Sequence, residues 1–226
     1  MSVVVVTGTD TGVGKTVVTA ALAAQHLAVG HSVAVVKPAQ TGVGPHDAGD
    51  LAEVRRLAGE VSLHEGVRLP DPLAPDTAAR VAGTELPSLQ QQVATLDTVA
   101  SAHDCTLVEG SGGILVNLGE HWTLLDLADA VRHRHHEVGF VVVARAGLGT
   151  LNHATLTVRA IQARDFEVAG VVVGSWPEKP GLAERQNLED LPRVTGVPLL
   201  GRIPAGAGSL RPDEFRRRAP GWLPAR

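Results

Sequence analysis

Residues Gly8 to Thr16 read G-T-D-T-G-V-G-K-T and follow directly on the apolar run Val3-Val4-Val5-Val6. A buried strand, a glycine-rich turn ending Gly-Lys-Thr and then a helix is how a chain builds a polyphosphate cradle. Backbone N–H groups from Gly12, Val13, Gly14, Lys15, Thr16 and Val17 would point at phosphate oxygens, backed by the positive end of the helix dipole. Lys15 would bring a mobile charge to the outer phosphates, and the Thr16 hydroxyl is a hard oxygen ligand for magnesium. Five residues separate Gly8 from Gly14, one more than the usual G-x-x-x-x-G-K-[ST] spacing. The following segment, Val17 to Leu27, is Ala-rich and ends near a C-capping Gly30. A nucleoside-triphosphate site is the expectation.

Further polar residues stand where other apolar runs end. After Ser32–Val36 comes Lys37-Pro38-Ala39-Gln40-Thr41-Gly42, and a lysine there can neutralise charge on a transferred phosphoryl group. After Thr106–Val108 comes Glu109-Gly110-Ser111-Gly112-Gly113, a carboxylate suited to magnesium beside glycines that permit close backbone approach. A second carboxylate comes from Asp47 or Asp50; Asp47 also reads as a helix N-cap. After Phe140–Val143 lies the small-residue loop Ala146-Gly147-Leu148-Gly149-Thr150-Leu151-Asn152-His153. Gly174-Ser175-Trp176-Pro177 and Ile203-Pro204-Ala205-Gly206 follow the last two runs and are placed to flank a nucleobase. The segment Arg132-His133-Arg134-His135-His136 reads as a polar helix end, since no carboxylate or cysteine joins it at metal-site spacing.

These residues need a scaffold, and the chain alternates short β-branched runs with longer helical segments. Strands are expected at Val3–Val6, Ser32–Val36, Thr106–Val108, Phe140–Val143, Val168–Val173 and Pro198–Leu200. Helices are expected at Lys15–Ala28, Ala48–Ala58, Leu89–His103, Leu124–Arg134, Asn152–Ala163 and Leu182–Thr195. That pattern predicts an α/β fold, a mostly parallel sheet with helices on both faces and the ligand at the strands' carboxyl ends. Pro70 to Pro87 reads as an irregular excursion, and the tail beyond Pro204 as a surface wrap around one short helix. A length of 226 residues suits a single domain, 1–226. The balance of 20 Lys+Arg against 24 Asp+Glu, with 3% aromatics and no tyrosine, argues against nucleic acid as a partner. One cysteine, Cys105, excludes an internal disulfide framework and fits a reducing cytoplasm. No apolar stretch reaches the roughly 20 residues of a membrane-spanning helix, so no membrane partner is expected.

Taken together, G-T-D-T-G-V-G-K-T, K-P-A-Q-T-G, V-E-G-S-G-G and L-G-T-L-N-H resemble dethiobiotin synthetase, in order and over nearly the whole chain. The stretched phosphate loop is that family's own variant, within the phosphate-loop NTPase fold. The resemblance implies a cytoplasmic ligase of biotin biosynthesis that closes a cyclic urea on 7,8-diaminononanoate with CO2 and a nucleoside triphosphate. It implies Thr16, Asp50 and Glu109 as magnesium ligands. Thr11, Lys15, Lys37 and Thr41 would contact carbamate, phosphoryl group or diamine, and Gly112 and Gly113 would hold the carbamate. It also implies a homodimer in which Gly147, Leu151 and Asn152 serve the partner's site.

One departure bears on the base. Members that select adenine carry an asparagine where Gly174-Ser175-Trp176 stands, so ATP, or another triphosphate such as CTP, is the expected co-substrate. Another is Gly12, where some members have glutamate. Two other readings share the cradle. A cobyrinate-type amidotransferase synthetase would need a glutaminase domain with a catalytic cysteine. A partitioning or positioning ATPase would carry an extra lysine early in the phosphate loop, where Thr9-Asp10-Thr11 stands. It would also use a basic or amphipathic surface, for which Phe215, Trp222 and Arg216–Arg218 are the only candidates.

Overall fold

The computed structural model describes residues 2–132, 134 and 137–223. Its frame is a sheet of seven strands, ordered β3-β2-β4-β1-β5-β6-β7, with every pairing parallel. The strands are β1 (Ser2–Gly8), β2 (Val33–Thr41), β3 (Ser62–Leu69), β4 (Cys105–Gly113), β5 (Glu137–Ala144), β6 (Glu167–Trp176) and β7 (Leu199–Pro204). Eight α-helices are present among the described residues: α1 (Lys15–Ala28), α2 (Asp50–Ala58), α3 (Pro75–Ala82), α4 (Leu89–Ser101), α5 (Leu124–Arg132), α6 (Thr150–Gln162), α7 (Leu182–Thr195) and α8 (Pro212–Arg218). None is long and apolar enough to cross a membrane.

Both faces of the sheet are covered, which is why its strands are nearly continuous runs of Val and Leu. Val3, Val5 and Phe140 pack with Leu96, Leu127 and Ile161 from α4, α5 and α6. Val6, Val35 and Leu107 face the other way, against Val18, Leu57 and Phe215 from α1, α2 and α8.

Two elements lie where the sequence reading places none. β3 is an edge strand whose SLHEGVRL sequence alternates poorly: only Val67 and Leu69 are buried, and the rest is half-buried or exposed. α3 forms inside the proline-rich stretch, since Pro75 occupies its first turn, where a missing N–H costs nothing. Pro38 is likewise tolerated inside β2: pairing with β4 ends at Val36, and from there the backbone ladder of β2 runs to β3 alone. Asp47 does not cap α2; the N-cap is Gly49 and the helix starts at Asp50, not near Ala48. His133, His135 and His136 lie outside the described residues.

The tail wraps the surface around a short helix, α8, which packs on α1 and α2. Phe215 is fully buried and meets Trp222 edge to face, so α8 spends its apolar side on the core. Its arginines pair with Asp213 and Glu214 one turn earlier.

One close approach ties the far strands to the phosphate loop. A Cβ on Gly174, in β6, would lie 2.1 Å from the Val13 carbonyl oxygen, and one on Gly14 would lie 2.5 Å from that of Gly174. Gly174→Ala is therefore expected to overpack this contact and lower unfolding free energy by about 1–3 kcal/mol. Urea denaturation would measure it, and a variant as stable as the parent would refute the contact.

Candidate active site

β1 delivers the chain into the loop Thr9–Gly14, and Gly14 takes φ 98°, a left-handed turn that opens α1 without a side-chain cap. The first amides of α1 are thereby left pointing into the mouth of the sheet. Inside the loop, Lys15 Nζ donates to the Asp10 carbonyl at 3.0 Å, so the lysine folds back over the cradle. Asp10 is itself held, because Arg145 from the loop after β5 pairs with its carboxylate and the Thr11 amide donates to it at 2.7 Å.

Beside this loop stand Lys37, at the carboxyl end of β2, and Glu109, in the adjacent β4. Val36 and Val108 are paired in register, so the next residues, Lys37 and Glu109, meet across the strands. Lys37 Nζ lies 2.8 Å from Glu109 Oε1 and also pairs with Asp50 Oδ2 from the first turn of α2. Glu109 has no exposed surface, Lys37 only 3% and Asp50 37%, so Asp50 carries the ion-paired group out toward solvent. Thr16 Oγ1 completes it, donating to Glu109 Oε1 at 3.0 Å.

Burial by itself would push the Lys37 ammonium down, but Glu109 and Asp50 outweigh it and hold its pKa above the ordinary lysine value. Lys15 behaves oppositely. Burial, and then the neighbouring Lys37 charge, push it down to about 8 against the pull of Glu109, Asp50 and Asp10.

All of this forms the floor of an open cavity of about 830 Å³. Thr11, Gly12, Gly14, Lys15, Thr16, Lys37, Thr41, Asp50, Glu109 and Gly112 line it, and Leu73, Pro75 and Val116 supply an apolar rim. Such a space suits a ligand that is anionic at one end and aliphatic at the other.

The sequence of residues 2–211 matches the family described as AAA domain. An ATP-dependent dethiobiotin synthetase BioD from Rhodococcus jostii is 56% identical over 99% of this chain and 95% of its own length. One of the same name from Streptomyces coelicolor is 55% identical over 99% and 92%. The chain belongs to the dethiobiotin synthetase family. A solved structure of the septum site-determining protein MinD with Mg-ADP, from Pyrococcus horikoshii, superposes with a TM-score of 0.62 over 96% of this chain and 89% of that one. At 13% identity that likeness concerns the fold alone.

Against the dethiobiotin synthetase expectations, the cavity gathers the phosphate-loop, lysine and carboxylate residues at one place. Of the two candidate acids, Asp50 meets Lys37, whereas Asp47 turns into its own loop and accepts the Gly44 amide at 2.9 Å. Gly113 sits beside the phosphate loop, in register with Gly8. Val13 is buried, with its carbonyl turned against Gly174, and Val17 lies under the segment containing Gly208. The proposed base-flanking residues stand outside the main cavity. Ser175 is exposed, the Trp176 ring lies 5.0 Å under the Arg202 guanidinium, and the Trp176 carbonyl accepts the Ala205 amide at 2.7 Å. Pro204, Ala205 and Gly206 are thereby tied to β6.

Gly147, Leu151 and Asn152 do not line the cavity of their own chain. The loop that holds Gly147 and leads into Leu151 and Asn152 in the first turn of α6 is anchored by Asn187 of α7, whose side-chain amide donates to the Ala146 and Gly147 carbonyls at 2.8 and 3.2 Å. Leu148 at its tip is 85% exposed. Sequence reasoning missed Asn187, Arg145 and Asp10. Only Asp10, inside the quoted phosphate-loop motif, carried any signal there.

The donor set at the floor fits a hard divalent cation. Glu109 Oε2 is buried and accepts no hydrogen bond, and Asp50 and Thr16 add oxygen donors within the same cluster. Among the described residues no group of three or more His, Cys, Asp and Glu is placed to hold a metal, so a carboxylate–carboxylate–hydroxyl set is the alternative this site offers.

Binding of polyphosphate favours the charged form of Lys15, so it must raise that lysine's pKa from about 8. In EDTA, nucleotide affinity is therefore expected to fall as pH rises past about 8, with proton uptake on binding. Calorimetry in buffers of different ionisation enthalpy checks this; no proton uptake between pH 8 and 9 would refute it.

Proposed function

We propose that residues 1–226, acting as one domain, form the cyclic urea of dethiobiotin from 7,8-diaminononanoate, CO2 and ATP in biotin biosynthesis. Membership of the dethiobiotin synthetase family supports the reaction. The observation that carries the residue assignment is the buried Lys37 ammonium between Glu109 and Asp50, at the floor of a cavity whose other wall is the phosphate loop.

The chemistry is a relay of anions. One substrate amine adds to CO2 and loses a proton, giving a carbamate. A carbamate oxygen attacks the γ-phosphorus, and the bond to the β-phosphate bridge breaks to release the diphosphate. The second amine then attacks the carbonyl carbon of the mixed anhydride and gives up a proton, and inorganic phosphate leaves as the ring closes. Lys37 and Lys15 hold the carbamate and the transferred phosphoryl group in line, opposing the negative charge they bring together. Backbone N–H groups of Gly112 and Gly113, with Thr11 and Thr41, orient the carbamate and diamine. Magnesium, which Thr16, Asp50 and Glu109 would hold, supplies further positive charge to the phosphates.

The aliphatic chain of the diamine fits the rim formed by Leu73, Pro75 and Val116. Exposed Leu148 and Leu156, before and on α6 respectively, and Leu115, beside Val116, are the apolar surfaces a homodimer would cover. That arrangement would place Gly147, Leu151 and Asn152 of each chain at its partner's diamine. The thiol of Cys105 is buried and pushed up to about 11, which makes it inert and consistent with a cytoplasmic enzyme. A formal charge of −4 supports small-molecule substrates rather than nucleic acid or an anionic membrane. The same burial that spends Phe215 on the core removes the apolar face a membrane-positioning ATPase would need.

Three outcomes test this reading. Diaminononanoate, bicarbonate and MgATP should yield dethiobiotin by mass spectrometry, and absence of product would reject the reaction. Lys37→Gln, which keeps a hydrogen-bond donor, is expected to lose at least about a hundredfold in turnover while nucleotide affinity stays within a few-fold. Unchanged turnover would remove Lys37 from the machinery. Because Gly174-Ser175-Trp176 offers no carboxamide to the base, ATP and CTP are expected to bind within about tenfold of each other. A larger preference by calorimetry would point to a base contact elsewhere.

A further inference from the structure

Asp50 begins α2, and the first amides of a helix have no partner within it. Its N-cap, Gly49, has no side chain to supply one. The Asp50 amide is satisfied instead from a neighbouring strand: it donates to Gln40 Oε1 at 2.9 Å. Gln40 is 4% exposed, and its own amide donates to the Thr41 carbonyl at 3.1 Å, so the carboxamide is fixed at both ends.

In register with Gln40 on β3 stands Arg68. Its guanidinium donates to the Asp47 carbonyl at 2.8 Å and the Gly44 carbonyl at 3.1 Å. Glu65 holds the same guanidinium through two bonds of 2.7 and 2.9 Å. The two cross-strand neighbours thus grip the loop leading into Asp50 at successive points. Gly49 is wedged between them: a Cβ there would lie 2.9 Å from Gln40 Oε1 and 3.1 Å from Arg68 Nη2.

We propose that Gln40 and Arg68 are positioning residues that fix the backbone of Asp50, and so set the affinity of the site for its divalent cation. This rests on the reading of Asp50 as a cation ligand. Asp50 is far more exposed than Lys37 or Glu109, so burial constrains it less than either. A carboxylate on an unanchored helix start could rotate into solvent. Pinned through its amide, it is held at Lys37 beside Glu109 and Thr16. Residues that orient a metal ligand typically contribute about 10–100-fold to metal affinity.

The test is titration of the full-length protein, loaded with a non-hydrolysable ATP analogue, with Mn2+ followed by electron paramagnetic resonance. Gln40→Met keeps the buried volume but loses the acceptor, and Gly49→Ala pushes Gln40 and Arg68 apart while leaving both side chains in place in the sequence. Both are expected to weaken Mn2+ binding about tenfold, while nucleotide affinity in EDTA stays near the parent's and circular dichroism shows both variants folded at the titration temperature. Turnover should show a raised half-saturating magnesium concentration with a maximal rate within a few-fold of the parent. Asp50→Asn is the control. If it weakens Mn2+ binding while Gln40→Met and Gly49→Ala both titrate like the parent, positioning is refuted and the ligand reading stands. If Asp50→Asn itself titrates like the parent, the ligand reading falls and the proposal falls with it.

Discussion

A lysine ammonium cut off from water is tolerable only where carboxylates close on it, and in this protein one such lysine organises the whole site. Removing an ammonium from water carries an effective penalty of several kcal/mol, which nearby opposite charge and hydrogen bonds must offset. Lys37 meets that requirement with Glu109, from the adjacent strand, and Asp50, from the helix that follows its own strand. Neither partner alone suffices in geometric terms. Glu109 is completely buried and needs the cation as much as the cation needs it, while Asp50 supplies the side open to ligand.

That requirement fixes the topology around it. Lys37 and Glu109 can meet only if β2 and β4 are neighbours in a register that brings Val36 opposite Val108. Thr16 can reach Glu109 only if β1 lies on the other side of β4, with Val6 opposite Glu109. The order β2-β4-β1 therefore places one carboxylate between a lysine and a threonine hydroxyl drawn from segments far apart in sequence. The remaining strands act at a distance. β6 presses Gly174 against the back of the phosphate loop, where any side chain would collide with the Val13 carbonyl.

Most of this frame is legible in the sequence because it rests on apolar runs and glycine spacing, which carry their meaning locally. Six of the seven strands and most of the helices follow from that alternation. β3 escapes it: an edge strand with His64, Glu65, Gly66 and Arg68 lacks the buried period that marks its neighbours. α3 escapes because prolines ordinarily signal irregular chain, whereas Pro75 stands at the one helical position that accepts it. In the site, the lysines, Glu109 and Thr16 announce themselves by standing where strands end. The choice between Asp47 and Asp50 does not, since only Ala48 and Gly49 separate them and only the start of α2 decides which carboxylate faces Lys37. Gln40 and Arg68 were illegible for the same reason: their meeting depends on a β2–β3 register that includes a strand the sequence hides.

The two lysines illustrate why position outweighs residue type. Both are buried and lie near the same carboxylates, yet their acidities move in opposite directions. Lys37 touches both carboxylates directly, and its charge is locked in. Lys15 is stripped of water by burial, lies within range of the Lys37 charge and donates only to a backbone carbonyl, so its own proton is held loosely, near pKa 8. A fixed cation suits a group that must oppose charge throughout a reaction. A cation whose charge is only weakly favoured until phosphates arrive suits one that must follow them. The Lys15 head is bound to nothing stronger than the Asp10 carbonyl, so phosphate oxygens can draw it away at little cost, whereas moving Lys37 would strand two carboxylates. The division of labour between them follows from which neighbours the strand register gives each one.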